Sequence, residues 1–394
     1  MTQIKSAILF GALSAALAAA PAHTFQTSDQ QFPPLEAITL QFETDAALVV
    51  SAAEFGGALL ADLQTRFEWE GISGNGWRWG VELGLHAQKD SAREGFANRV
   101  GRGLVADRSL ATGRYTGGNP ESHDRAFAAS AANLFLKTGW GDWRLGLTPG
   151  AAAFETRIMP TASAYMRLDG GPLTPNYGAA IRTLNAGSGL GPTLVYSTPR
   201  IIGLRASASF TAETSYCGID LCRTQEGGAG VPSGELNSVF EAGISFDRTL
   251  REWGQIQLGV NALRADPAAT RFTRDYTAIG LQARWSGDQL SAGVSTLWAD
   301  NAVSNGAYTA IMMAIRYDEG PWSFGAEWAR SDDDLVLERQ TAAQLTASRF
   351  LGDQFSVTFG LQNIATEFFD LGMLVTDNSA RNGTGAFLEL AFRN

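Results

Sequence analysis

The sequence predicts an all-β protein, a transmembrane antiparallel β-barrel of 16 strands. Apolar and polar residues alternate along sixteen separate segments, which is the periodicity of a strand with two different faces. The segments run for about 10 to 13 residues, whereas strands in soluble proteins average about 5 to 6 residues. Short turns and long polar connections follow one another in alternation, as in the hairpins of a membrane barrel.

The segment 76–88 shows the alternation most clearly. One face carries Trp77, Trp79, Val81, Leu83 and Leu85, and the other carries Arg78, Gly80, Glu82, Gly84 and His86. A soluble β-sandwich also alternates and is the alternative fold. The barrel is favoured because aromatic residues recur near segment ends, as interfacial girdles do; these residues are Trp69, Trp77, Trp143, Tyr276, Trp298 and Trp322.

The strand number follows from a count of the alternating segments. They are 57–70, 76–88, 126–138, 143–152, 180–186, 191–199, 203–213, 236–248, 252–264, 275–286, 289–299, 306–317, 321–330, 339–350, 354–365 and 384–393. The alternation is weakest at 180–186 and 306–317, so fourteen and eighteen strands are the alternatives. The stretch 45–63 fits either a short helix or a strand, because Glu54 and two glycines interrupt it. Barrels of 16 to 18 strands enclose an aqueous lumen.

Composition limits the possible functions. The 394 residues include 30 Lys+Arg and 40 Asp+Glu, a formal net charge of −10, which excludes the basic surface that a nucleic-acid partner requires. The chain after the N-terminus has no uncharged apolar run of about 20 residues, so we expect no transmembrane helix. A hydrophobic content of 45% suits strands that face lipid on one side and water on the other.

The N-terminus predicts export. Lys5 precedes an uncharged apolar stretch, 7–20, and Ala20-Pro21-Ala22 has the form of a cleavage site. We therefore expect residues 1–22 to be a cleaved signal peptide. Residues 23–394 then form one barrel domain, within which 23–56 is an N-terminal segment of undetermined structure. In an oxidising compartment, Cys217 and Cys222 are expected to form a disulfide that closes a small loop.

The stretch 191–210 resembles the general bacterial porins, particularly the alphaproteobacterial type. It is similar to the paired strands of that family around a turn that contains Tyr196, Thr198, Pro199 and Gly203. The resemblance extends over the mature chain and implies a homotrimer of 16-stranded barrels in the outer membrane. One feature departs from the family, because the chain continues past Phe392 to Arg393-Asn394, whereas porins commonly end on an aromatic residue.

The resemblance also implies that a third long loop folds inward and narrows each pore. The segment 150–177 corresponds to that loop in order and length. Its charged residues, Glu155, Arg157, Arg167 and Asp169, are therefore the candidates for the constriction.

Four arginines lie on the polar face of their predicted strands: Arg78, Arg144, Arg205 and Arg284. A charged side chain on the lipid face would cost about 2–4 kcal/mol at the bilayer midplane, so we expect this polar face to line the lumen. They form a candidate basic wall of the pore. The alternative is that they are internal struts, ion-paired to Glu82, Glu241 or Glu327.

The predicted function is passive diffusion of ions and small hydrophilic solutes through a water-filled channel, with outer-membrane lipid around it. A channel specific for sugars or anions is the first alternative. An outer-membrane hydrolase that uses His86 or His123 is the second, although the sequence has no G-x-S-x-G motif. We expect no enzyme activity, no cofactor and no metal.

Overall fold

The structure is a computed structural model of the chain. It describes residues 24–25, 37–53, 56–89, 109–112, 125–156, 159–173, 181–185, 187–189, 191–215, 235–268, 274–335, 338–368 and 381–394. The predicted signal peptide 1–22, the predicted Cys217–Cys222 disulfide, Arg157 and His123 lie outside these residues.

Sixteen long strands form a single sheet in the described part of the chain. In chain order, β1 to β16 are Ala37–Ala53, Gly56–Ile72, Arg78–Lys89, Arg125–Thr138, Gly141–Leu147, Pro192–Ser197, Leu204–Ser215, Glu235–Leu250, Gly254–Pro267, Tyr276–Ser286, Leu290–Ala299, Tyr308–Glu319, Trp322–Asp333, Glu338–Phe350, Phe355–Phe368 and Arg381–Arg393. A two-residue strand, Thr24–Phe25, pairs with β1, and a short helix, α1, spans Ala151–Glu155.

The sheet closes on itself. Each strand pairs antiparallel with the next, and β16 pairs with β1 through a register that opposes Leu388 and Val50. The predicted 16-stranded barrel is therefore confirmed. Among the described residues, no helix has the length and apolar character needed to cross a membrane.

The strand count is right, but the predicted set omits one strand and contains one false strand. Strand β1 occupies Ala37–Ala53, inside the stretch whose structure the sequence left undetermined. The segment 180–186 is not a strand: Ile181, Arg182, Thr183 and Asn185 have no regular structure and are all buried. A segment that is buried on every side loses the two-residue alternation. Strand β12 confirms the other weak segment, 306–317.

The predicted faces of the strands are correct, with one exception: Tyr276, predicted as an interfacial aromatic, is fully buried in an apolar cluster inside the barrel. Outward apolar side chains are exposed, as Phe240 and Leu345 show, while inward polar side chains such as Glu241 and Gln344 are buried. Short turns connect the strands at one end of the barrel, the turn end, for example between β2 and β3. The long connections, including those between β3 and β4 and between β5 and β6, lie at the other end, the loop end.

Candidate functional site: a segment inside the barrel

The described residues between β5 and β6 follow the inner wall of the barrel. We call those from 150 to 189 the inner segment. They hydrogen-bond to ten of the sixteen strands, at Gln88, Ser207, Ser209, Thr214, Glu241, Ser245, Asn261, Ala278, Ser295, Tyr308, Arg316, Glu327, Gln344 and Glu389. These partners, unlike the exposed apolar residues of the same strands, lie on inward positions. The inner segment therefore occupies space enclosed by the wall.

Helix α1 begins the inner segment and lies against β7 and β8. Its first backbone N–H groups donate to the wall: Ala151 to Ser209 Oγ at 2.8 Å and Ala152 to Glu241 Oε2 at 2.9 Å. At the end of α1, Glu155 accepts hydrogen bonds from the hydroxyls of Ser207 and Ser245. The free N–H groups at the start of the helix are thus satisfied by acceptors of the wall rather than by water.

Inward glycines of the wall make room for the inner segment. A Cβ on Gly259 would lie 2.7 Å from the carbonyl oxygen of Glu155, and a Cβ on Gly243 would lie 2.8 Å from the Cβ of Glu155. Further along, a Cβ on Gly293 would lie 2.9 Å from Met159 Sδ, and one on Gly325 would lie 3.0 Å from the Ala162 nitrogen. The backbone approaches the wall where the wall has no side chain.

Three buried carboxylates of the wall hold the segment by its backbone. Glu241 also accepts from Ser188 N at 2.7 Å, so it joins the beginning and the end of the segment. Glu327 accepts from Leu168 N at 3.2 Å. Glu389, on the last strand, accepts from Ser163 Oγ at 2.6 Å and from Ala164 N and Tyr165 N at 3.2 Å each. Hydrogen bonds to a charged acceptor are stronger than neutral ones.

Apolar contacts complete the attachment on the other side of the barrel. Tyr165, Met166 and Leu173 pack against a cluster on β1, β2 and β16, formed by Ala47, Val49, Leu60 and Phe387. Burial, together with the carboxylates of Asp62 and Asp45, raises the pKa of the Tyr165 phenol. The phenol is therefore neutral at any ordinary pH.

Ion pairs line the wall on β2 to β7, where side chains remain partly accessible. Arg78 pairs with Glu70 at 2.7 Å. Arg144 pairs with Glu82 at 2.6 Å, and Arg66 contacts the same carboxylate at 2.9 Å. The two arginines use opposite oxygens, so Glu82 on β3 joins Arg66 on β2 to Arg144 on β5. The Arg144–Glu82 pair is one that the strut alternative names, whereas Arg78 pairs with Glu70 and half of its side chain remains accessible.

A small cavity lies between this charged wall and α1. Its volume is about 120 Å³, and its lining includes Lys137, Asp142, Arg144, Phe154 and Arg205. The Arg144 guanidinium stands 5.1 Å from the centroid of the Phe154 ring, within cation–π range. Arg205 reaches Asp142 at 3.2 Å. Cations and one face of the inner segment therefore meet in this cavity.

The predicted site residues occupy different environments. Arg284, the fourth candidate of the basic wall, donates from Nε to Ser286 Oγ at 3.2 Å on β10. Among the constriction candidates, Glu155 and Asp169 are fully buried, and Arg167 lies 3.4 Å from Asp169. Glu155 also lies 3.7 Å from Arg205 Nε, so the inner segment and the wall meet through opposite charges at this point, while Arg167 and Asp169 face each other.

Sequence reasoning missed the attachment points of the inner segment. Glu389 and Gly293 carry no motif, and their partners are distant in the sequence. The sequence did contain one signal, because Gly243, Gly259 and Gly325 occupy inward positions of their strands. Glycine weakens a strand and often marks a place where another part of the chain approaches closely. His86, the residue named for the hydrolase alternative, lies with Nε2 2.6 Å from Asp62 Oδ2, at hydrogen-bonding distance on the lumen wall.

A closed antiparallel barrel with a segment attached inside it and charged pairs along one wall defines a pore-forming protein of the membrane. The sequence model of the Gram-negative porin family matches residues 11–367. The chain belongs to this family, as the resemblance in its sequence predicted, and it is an outer-membrane porin.

Solved structures support the fold. The chain is similar to a porin refined at 1.8 Å resolution, with 15% identity, a TM-score of 0.53 and coverage of 90% of this chain and 100% of that one. An anion-selective porin from Comamonas acidovorans matches with 12% identity and a TM-score of 0.55, over 91% of this chain and all of its own. A mutant of the Rh. blastica porin matches with 14% identity, a TM-score of 0.51, and coverage of 90% and 100%. No curated protein sequence matches the chain.

Proposed function

We propose that the channel passes ions and small hydrophilic solutes by passive diffusion along the side of the lumen formed by β2 to β7. One observation carries this proposal: most of the partly accessible ion pairs on inward positions lie there, whereas the inner segment hydrogen-bonds to each strand from β7 to β14. A further pair, Arg316–Asp318, lies on β12. Pore diameter and lining charges determine which solutes pass. Both signs of charge line the path, with Arg66, Arg78 and Lys137 near Glu68 and Asp142, so we expect weak ion selectivity.

Planar-bilayer recording tests the proposal. Purified, folded protein should give stepwise, ohmic channels, and the reversal potential in a salt gradient should report a permeability ratio near one. Swelling of liposomes in uncharged sugars of increasing size should show a sharp size limit. A folded preparation that gives no channels in either assay would contradict the diffusion function.

A channel with preference for anions is the second candidate. The cavity beside α1 favours it, because Lys137, Arg144 and Arg205 converge there. A carboxylate or phosphate solute that binds these groups should reduce single-channel current in a saturable manner, and Arg144→Ala should abolish that reduction. Current that depends only on bulk conductivity would leave the general channel as the function.

The assembly and export expected from the sequence belong to the same proposal. We infer a homotrimer in the outer membrane, exported by cleavage after Ala22, with a Cys217–Cys222 disulfide. N-terminal sequencing should find His23 first, and light scattering in detergent should give three times the chain mass. The family and fold point to a channel rather than an enzyme, so hydrolytic activity that disappears in His86→Ala would contradict this assignment.

A further inference from the structure

A second part of the chain lies inside the barrel. Residues 109–112 belong to the long connection between β3 and β4, and they form a turn in which Ser109, Leu110 and Ala111 are completely buried. The Thr112 N–H donates to Ser109 Oγ at 3.3 Å and closes this turn. We call residues 109–112 the buried turn.

Asn301 holds the buried turn. Its Oδ1 accepts from the Ala111 N–H at 2.9 Å and from Ser109 Oγ at 3.3 Å, while its Nδ2 donates to Asp333 Oδ1 at 3.1 Å. Asn301 and Ala302 both have positive φ, 47° and 60°, and both are completely buried. Two successive non-glycine residues in the left-handed region are costly, and such strain persists where it serves a function.

The buried turn and its partner come from opposite sides of the barrel. Asn301 lies between β11 and β12 at the loop end, eight strands away from β3 and β4 in a closed ring of sixteen. Leu110 and Ala111 share one apolar cluster with Ile181 of the inner segment and with inward Leu297 and Tyr308 of the wall. Two separate parts of the chain therefore pack together over the same part of the inner wall.

We propose that the buried turn is a second constriction element, which closes the loop end above β10 to β13 and confines solutes to the side of β2 to β7. Asn301 is its positioning residue: it satisfies the buried N–H of Ala111, which would otherwise be unpaired and costly. This inference goes beyond the diffusion function proposed above and assigns the size limit of the channel to a part of the chain outside the inner segment.

Two variants remove the attachment from different sides. Asn301→Gly deletes the amide and relieves the positive φ, since glycine adopts that conformation without strain. Ala111→Pro removes the donating N–H and leaves the wall intact. Asn363→Ala is the matched control, because Asn363 is exposed on the outward face and its side chain hydrogen-bonds to Thr384 on the neighbouring strand, far from the buried turn in sequence.

Single-channel conductance and the sugar-size limit in liposomes are the readouts. We expect each variant to raise conductance by roughly 1.5-fold or more and to admit larger sugars, because the open cross-section increases. The double variant should add nothing, because both changes break one interaction. Unchanged conductance and size limit in folded Asn301→Gly protein, at the level of the Asn363→Ala control, would overturn the proposal.

Thiol labelling provides a test that does not depend on conduction or on the folding of these variants. In Leu110→Cys, a membrane-impermeant thiol reagent should label no faster than in the parent chain, since the side chain is buried. Rapid labelling would overturn the proposal. A wild-type protein without conductance would contradict the diffusion function instead, and the labelling result would still decide the position of the buried turn.

Discussion

Removing the carboxylate of Glu389 should loosen the inner segment at residues 163–166. The Ala variant eliminates three hydrogen bonds, from Ser163 Oγ and from the backbone nitrogens of Ala164 and Tyr165. A hydrogen bond to a charged group contributes about 1.5–3 kcal/mol, and a buried N–H left unpaired costs about 1–3 kcal/mol. Removal of the buried charge also removes its desolvation cost, and water of the lumen replaces part of the lost bonding. We therefore expect a net local loss of about 3 kcal/mol.

Hydrogen exchange measures this loss directly. A local free energy lowered by about 3 kcal/mol corresponds to roughly 150-fold faster exchange of the Ala164 and Tyr165 amides. Glu389→Gln keeps one carbonyl acceptor, so its effect should be smaller. Glu367→Ala is the matched control, because Glu367 is an exposed carboxylate on the outward face of neighbouring β15. Unchanged protection at residues 163–166 in Glu389→Ala would refute the reasoning that the wall carboxylate holds the segment.

Three further changes test other parts of the site. Gly259→Val places atoms against the carbonyl of Glu155 and should lower stability by about 1–3 kcal/mol, measured by thermal unfolding against Gly74→Ala in an open turn. Arg144→Ala removes an inward positive charge and should shift the reversal potential toward cation preference, whereas Arg349→Ala, stacked on outward Trp322, should not. Because burial raises the pKa of Tyr165, the unfolded chain loses this phenolic proton first as the pH rises above about 10, so alkali destabilises the fold. Tyr165→Phe should therefore unfold at a higher pH than the wild type in an alkaline titration, and identical profiles would contradict this.

Much of the barrel could be predicted from the sequence because each strand separates lipid from lumen. That separation imposes a period of two on every strand, and a one-residue slip would reverse the faces. Strand β1 escaped prediction because the stretch 45–63 spans a hairpin rather than one element: β1 ends at Ala53 and β2 begins at Gly56. Asp62, a charged residue near the end of this stretch, occupies an inward position of β2 and contacts His86.

The inner segment could be placed in the chain but not in space. The pair Ser163–Glu389 is separated by 226 residues, and the pair Leu168–Glu327 by 159. Contacts of this range leave no local pattern, because the wall residue keeps the normal periodicity of its strand. The false strand at 180–186 has the same origin. Its described residues are mostly buried by the wall and by other parts of the chain. The order of their apolar and polar side chains therefore does not indicate which side faces lipid and which faces water.

The residue types at inward positions of the wall nevertheless indicate where the inner segment lies and where water remains. Inward glycines occur where the segment touches β8, β9, β11 and β13. Buried glutamates of the wall occur where its backbone N–H groups need acceptors. Most inward arginines paired with acids occur on β2 to β7, where side chains stay partly accessible, and one further pair, Arg316–Asp318, lies on β12. A carboxylate buried against backbone N–H groups needs no counter-charge, whereas a guanidinium at a water-filled wall gains from both solvent and a partner. The chemistry of inward positions therefore divides the lumen into a packed part and a solute path, and it does so independently of the identity of the solute.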